Sequence, residues 1–272
     1  NLQILAAPTR GVNNSYHFHF RHPLVEDIRV RQALIHAIDR DNILRTLYSD
    51  SYPKGSSILA RTAIGYKGES EHYAYDPEKA EQLLDDAGWK RGADGIRTKE
   101  GQRLSLTFNE AVPQPRSREM FTKAQEMLKN IGVEANLYPG DYSAQTKAMQ
   151  DQELVQVRHI MVGRANVDTL ATWLDGAGRN TFLNYDAETD SYGDERLQAL
   201  VDDYFQLTSE KQRLAKAAEM QDYLAEQAYI LPLFEEPQVY GAQPHVDGFT
   251  TEAIGRPSFY AVEINPAQGR GK

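Results

Sequence analysis

Residues 16–44 read YHFHFRHPLVEDIRVRQALIHAIDRDNIL, and the change of period inside them sets the fold class. Tyr16-His17-Phe18-His19-Phe20-Arg21 alternates aromatic with polar, the pattern of a half-buried strand with His17 and His19 on one face. A turn signal at Gly11 to Ser15 precedes it and Pro23 ends it. Asp27 is placed to cap a helix whose Val30, Ala33, Leu34, Ala37 and Ile38 keep the i, i+3, i+4 spacing of one buried face. Asp41 is placed to cap a second short helix through Ile43, Leu44 and Leu47.

Outward from this unit the same alternation continues. Residues 49–72 are rich in Gly, Ser, Pro and Tyr without sustained periodicity, and read as a long ordered loop of the kind that is functional or mobile. Asp76-Pro77 starts a helix with Ala80, Leu83, Leu84 and Ala87 as its stripe and Gly88 as terminator. A hairpin turn is expected over 92–101, then a strand through Leu104, Leu106 and Phe108. A helix carrying Phe121, Ala124, Leu128 and Ile131 leads to a strand at 133–137, a short helix from Ser143 and a buried strand over 155–162. Thr169 to Leu174 begins a helix and 176–191 reads as loop. Two amphipathic helices follow at 194–205 and 209–227, and an edge strand runs around Pro232. Strands alternating with helices predict an α/β domain with a mixed β-sheet flanked by helices.

The chain has 272 residues, 40% of them hydrophobic and 25% charged, enough for a substantial core and far from the composition of a disordered chain. No stretch approaches the roughly 18 uncharged apolar residues of a membrane-spanning helix. The absence of cysteine excludes disulfide scaffolds, thiolate zinc sites and cysteine nucleophiles. A net charge of -9, from 30 basic and 39 acidic residues, argues against nucleic acid as the partner. Asn1 is not an initiator Met and no charged-then-apolar leader follows, so a mature form or a piece of a longer chain is expected.

No nucleophile elbow, phosphate loop or dinucleotide fingerprint is present. His17, His19 and His22 carry imidazoles suited to a transition metal, but nothing in the spacing adds a third or fourth ligand, so strand or cleft packing is the preferred reading and no metal or cofactor is expected. The paired acids Asp85-Asp86, Asp202-Asp203 and Glu235-Glu236 read as solvated surface. Tyr outnumbers Phe, 15 to 9, with Tyr52, Tyr66, Tyr73, Tyr75, Tyr138, Tyr142, Tyr185 and Tyr192 in expected loops, where a phenol serves loop packing or a wet ligand cleft equally well.

Taken together, several segments resemble the C-terminal half of bacterial extracellular solute-binding proteins of family 5, the oligopeptide-, dipeptide- and nickel-binding receptors of ABC importers. The opening stretch resembles that family's aromatic strand, Pro and Asp followed by VRQAL..AIDR. YDPEKAEQLLDDAGW at 75–89 is similar to its YDPEKAKQLLAEAGW. LKNIGVEANLY at 128–138, AYILPLF at 228–234 and GRPSFYAVEI at 255–264 follow in family order.

The resemblance implies a type II-like periplasmic-binding-protein lobe whose terminal strands belong to a first lobe. On that basis, residues 1–21 are the hinge strand and remnant of the first lobe, 22–235 the second ligand-binding lobe and 236–272 the return. It also implies a monomeric receptor, periplasmic or membrane-anchored outside a Gram-positive cell, that takes a peptide-like or other small polar solute and delivers it to ABC permease subunits. Carried over residue by residue, the ligand-binding set is His19, Arg21, Gly163, Arg164, Asn166 and Asp168. His19 falls where peptide binders often carry Asn, with Arg21 on the same face. Gly163-Arg164-Ala165-Asn166 falls on the W-x-x-D region, whose Asp pairs with a peptide's α-ammonium. Asn166 cannot supply that charge, Asp168 stands by as a substitute, and Arg164 favours an anionic or carbonyl-rich ligand group. Trp173 is read as core. Two other classes stay open from the residues alone: the ligand-sensing module of a cytoplasmic transcriptional regulator, and a metal- or carboxylate-dependent hydrolase.

Overall fold

The computed structural model describes residues 3–7, 12–50, 52–68, 70–111, 114, 116–151, 153–163, 167–176, 185–186, 191–251 and 257–265. Its principal strands are β1 (Gln3–Ala7), β2 (Val12–Phe18), β3 (Ser105–Asn109), β4 (Glu134–Tyr138), β5 (Val157–Gly163), β6 (Ile230–Glu235) and β7 (Gln238–Ala242). The helices are α1 (Ile28–Ala37), α2 (Arg40–Leu47), α3 (Pro77–Asp86), α4 (Ser117–Asn130), α5 (Tyr142–Gln150), α6 (Val167–Leu174), α7 (Glu195–Gln206) and α8 (Glu210–Glu226).

Five strands form one mixed sheet in the order β6-β2-β5-β3-β4. β3 runs parallel to β4 and β5, whereas β2 is antiparallel to both β5 and β6. Helices cover both faces. The stripes of α1 (Ala33, Leu34), α3 (Ala80, Leu84) and α4 (Ala124, Leu128) join Tyr16, Phe18 and Leu231 in one core. Those of α6 (Leu170, Leu174), α7 (Leu197, Val201) and α8 (Met220, Leu224) join Ile230 in a second. The expected α/β lobe is therefore present as three layers.

Local rules set most helix starts. The Asp27 side chain accepts from the Arg29 amide and the Asp76 side chain from the Lys79 amide, each at 2.9 Å. Asp39, not Asp41, caps α2, accepting from the Asn42 amide, because Asp41 already lies in the first turn. Gly88 ends α3 at φ 87°, a conformation open to a residue without a side chain. The expected hairpin over 92–101 is the first half of a three-stranded meander of 90–91, 97–99 and 102–103.

Two expectations change. The turn expected at 11–15 and the half-buried strand expected over 16–21 are replaced by β2 at Val12–Phe18, buried on both faces from Asn13 onward. Asn13, Asn14 and Ser15 look like turn formers only while their neighbours are unknown. Paired between β6 and β5 they satisfy the backbone, and the Asn side chains find partners across the fold. The chain then leaves the strand, since the His22 amide bonds back to the His19 carbonyl at 2.8 Å. His17 and His19 consequently do not share a strand face.

The segment over 49–72 is a packing element. Ser57, Ile58, Leu59, Ala60 and Ala63 are buried, and the Gly55 amide donates to the Leu233 carbonyl while the Glu235 amide donates to that of Pro53. It thereby closes the outer edge of β6, the strand whose register shifts between Pro232 and Phe234. Arg40, the Arg of the AIDR stretch, pins this strap. Its guanidinium donates to the carbonyls of Gly55 at 2.5 Å, Pro232 at 2.8 Å and Tyr73 at 2.5 Å.

Candidate functional site

The direction of the strands decides which edge of the sheet can hold a ligand. Open α/β sheets bind at the carboxyl ends of their parallel strands, where loops leave the sheet and backbone groups are unpaired. Here that edge comprises Asn109 at the end of β3, Tyr138 at the end of β4 and Gly163 at the end of β5. Because β2 and β6 run antiparallel to β5 and to each other respectively, the start of β2 and the end of β6 lie at the same edge. Beyond it the two chain segments that pair as β2 and β6 pair again as β1 and β7, from Gln3 opposite Ala242 to Ala7 opposite Gln238.

A cluster of buried amides organises this edge. Glu236, just after β6, accepts through Oε2 from Asn14 Nδ2 at 2.9 Å and from Gln114 Nε2 at 2.7 Å. Asn14 and Gln114 are both buried. Asn109 Oδ1 accepts from the His159 amide at 2.8 Å, and Ser117 Oγ accepts from the Ala111 amide at 2.8 Å while lying 3.3 Å from His159 Nδ1. These bonds fasten the β3–α4 connection and the start of α4 to the sheet. Phe234 lies against Tyr48 and Tyr52, whose ring centroids are 4.7 Å apart.

The electrostatics follow from burial. Burial raises the Glu236 carboxyl above the usual carboxylate range, against the pull of the Asn14 and Gln114 hydrogen bonds. Burial and the Glu236 charge together raise the Tyr48 phenol, so it stays protonated. Burial holds His159 down to about 3 and His17 well below its ordinary value, with Arg158 and His159 adding to the effect on His17. Both imidazoles are neutral at physiological pH.

The residues expected to bind ligand fall into two places. Gly163 is at the carboxyl edge, opposite Val12, and Arg164 and Asn166 lie outside the described residues. Asp168 is exposed in the first turn of α6, where its Oδ1 takes the Tyr204 hydroxyl at 2.5 Å and lies 3.1 Å from Arg213 Nη1. His19 and Arg21 are at the opposite end. The His19 amide donates to the Gln156 carbonyl, just before β5 begins. Phe18 pairs with Val157 there and Val12 with Gly163 at the other end, so at about 3.3 Å per residue the two groups are about 20 Å apart.

Of the other candidates, Trp173 is buried in the second core with its ring edge-on to His17 at 5.1 Å. His22 Nδ1 accepts from the Leu24 amide, and its Nε2 lies 3.8 Å from Glu153. The pair Glu235-Glu236 is not solvated surface. Glu235 is buried against Arg61, with Oε1 3.0 Å from Nε, and Glu236 turns the other way into the amide cluster. Among the described residues no group of three or more His, Asp or Glu side chains is placed to hold a metal, and no helix is long and apolar enough to cross a membrane. Asn14 and Gln114 carried no sequence signal, and Glu236 was visible only as one of a pair of acids, because each acquires its meaning from partners 100 or more residues away.

Comparison with known proteins adds an independent line. Residues 2–180 match the family described as bacterial extracellular solute-binding proteins, family 5 Middle. Heme-binding protein A of Haemophilus influenzae is 24% identical over 258 residues, covering 94% of this chain and 45% of that protein. The dipeptide-binding protein of Escherichia coli is 28% identical over 145 residues, 53% of this chain and 26% of that one. Among solved structures, NikA from Brucella suis in complex with Fe(III)-EDTA superposes with a TM-score of 0.81 at 22% identity, over 97% of this chain and 53% of that one. AppA from Bacillus subtilis in complex with a nonapeptide gives 0.76 at 20%, over 97% and 52%. The chain thus spans about half the length of such relatives.

Proposed function

Because the chain belongs to the bacterial extracellular solute-binding proteins of family 5, we propose that it forms the second ligand-binding lobe of a substrate-binding receptor serving an ABC importer. Proteins of this family are transport receptors and not enzymes. The receptor acts outside the cytoplasmic membrane as a monomer. It captures a peptide-like or other small polar solute and hands it to permease subunits. The observation that carries this reading is the carboxyl edge, where three parallel strand ends, the start of β2 and the end of β6 converge beneath the β1–β7 ribbon. A crevice between this edge and a first lobe, closing around a hinge, gives the solute differential contacts in the closed state, which alone can shift an open–closed equilibrium.

The division into 1–21, 22–235 and 236–272 is kept in outline, with β2 counted in the lobe because it is the second strand of its sheet. The crossings then fall between Ala7 and Val12 on entry and at Glu236-Pro237 on return. Within the ligand-binding set, Gly163, Arg164, Asn166 and Asp168 follow the carboxyl edge and are assigned to the crevice. His19 and Arg21, at the far end of β2, are assigned to the structural support of that strand. Asp168, already engaged by Tyr204 and Arg213, is a weak substitute for a free ammonium-binding carboxylate.

Binding of dipeptides and tripeptides, measured by calorimetry on the longer protein that contains this chain, tests the assignment. Replacing Arg164 by Ala should weaken a bound peptide by about 1.5–3 kcal/mol, the worth of a hydrogen bond from a charged donor. The isolated chain, with one wall of the crevice, should bind the same peptide far more weakly than the longer protein. An unchanged affinity for Arg164→Ala removes that residue from the site, and tight binding by the isolated chain overturns the two-lobed crevice.

A further inference from the structure

Glu236 stands apart from the other buried or half-buried carboxylates at this edge. Glu235 has Arg61 at 3.0 Å and Glu110 has Arg118 at 2.7 Å, but among the described residues no cationic group lies within 4.0 Å of Glu236. Among the described residues its hydrogen-bond donors are two neutral amides, both directed at the same oxygen, Oε2. Those amides are themselves fixed. Asn14 is on the sheet's second strand, and Gln114 Oε1 accepts from the Arg116 amide beside the start of α4. The carboxylate is therefore held in one orientation by buried groups and, among the described residues, has no counter-charge, an arrangement that costs free energy unless something completes it.

The surroundings suit a cation. The half-buried Tyr48 and Tyr52 pack against Phe234, two residues before Glu236, one tilted and the other edge-on, and both lie close enough to feel the Glu236 charge. A phenol ring near a carboxylate is the combination that stabilises an alkylammonium or guanidinium, by charge on one side and the ring's quadrupole on another. Arg116, at the N-cap of α4, is exposed and forms no ion pair with Glu236, although its charge reaches both Tyr48 and Tyr52, while Glu119 one turn on adds negative charge at Tyr48. The position matters as much as the chemistry, since Glu236 sits at the return crossing, on the edge assigned to the crevice.

We propose that Glu236, oriented by Asn14 and Gln114 and flanked by Tyr48 and Tyr52, anchors a cationic group of the bound solute. This deepens the receptor reading and rests on it for its biological meaning. It restricts the solute class to molecules bearing an ammonium or guanidinium group. The contact is reversible and non-covalent, with the guest's N–H groups donating to the oxygen that the amides leave available.

The test uses this chain, butylammonium as the probe and 1-butanol as its uncharged counterpart. The side-chain amide NMR signals of Asn14 and Gln114 report at the site itself. Butylammonium should shift them saturably in the wild-type chain and butanol should not. Glu236→Gln should weaken that response about ten- to a hundredfold, the difference between a charge-assisted and a neutral hydrogen bond, and Tyr52→Leu should weaken it by less. Failure of butylammonium to shift these amides in the wild-type chain overturns the proposal. So does an equal response to butanol, or an undiminished response in Glu236→Gln. The receptor reading fails separately, if the longer protein binds neither peptides nor any other small polar solute, and the amide shifts then still decide whether Glu236 is a cation site.

Discussion

Replacing Arg40 by Met should cost the fold about 3 kcal/mol, and the number can be worked from its surroundings. Arg40 is buried and its guanidinium serves three carbonyls, those of Gly55, Pro232 and Tyr73. Hydrogen bonds from a charged donor contribute about 1.5–3 kcal/mol each, so three give about 4.5–9 kcal/mol. Against this stands the desolvation of the guanidinium, which brings its pKa from 12.5 down to about 10. At about 1.36 kcal/mol per unit that is a cost near 3 kcal/mol, leaving a net of roughly 1–6 kcal/mol. Methionine keeps the apolar stem but leaves three carbonyls without a donor. The depressed pKa means the folded state binds fewer protons than the unfolded one only above about pH 10. Below that both states are charged, so the loss should be the same at pH 6 and pH 8. Urea unfolding followed by circular dichroism measures it, with the exposed Arg45→Met as a control expected near zero. Amide exchange at Gly55 and Glu235 should quicken together, because both bond across the strap that Arg40 pins. A loss under about 1 kcal/mol, or exchange unchanged at both amides, would refute the view that Arg40 locks this segment to β6.

Two further outcomes are expected. His159 and His17 are neutral in the fold through burial, whereas the unfolded chain takes up a proton on each near its ordinary 6.5, so stability is full above that value and falls as the pH drops below it. Between pH 7 and pH 5 each contributes a loss of about 2 kcal/mol, and His159→Gln should flatten the measured pH dependence by about one such share. An identical slope in the variant would show that His159 is not held neutral. Trp173→Ala should cost about 3–5 kcal/mol in thermal unfolding because the ring fills the second core against His17. The exposed Phe259→Ala should cost within about 0.5 kcal/mol, and similar losses for the two would contradict the placement of Trp173.

Helices were legible because their determinants are local. Asp27 and Asp76 cap the turns that follow them within three residues, and the stripes of α1, α3 and α4 repeat within a single element. The family resemblance was legible for a related reason, since ordered short segments such as that at 75–89 keep their signature without reference to tertiary contacts. The strand at the centre was misjudged in register and burial. An alternating pattern reports one wet and one dry face, but β2 is dry on both because β5 and β6, both more than 100 residues downstream in the sequence, enclose it. The same holds for the strap over 49–72, whose lack of period says nothing about the strand edge it covers.

By itself, then, the sequence determined the alternation of strands and helices, most of the caps, the absence of thiol chemistry and membership of a family of receptors. Only the tertiary structure decided that Gly163 and Glu236 lie on one edge, that His19 and Arg21 lie about 20 Å away at the other, and that Asn14 and Gln114 aim at a single carboxylate oxygen. The reason is range. Caps and periods are settled by bonds between near neighbours, whereas the bond from Asn14 to Glu236 joins residues 222 positions apart, and only the sheet's pairing order brings them together.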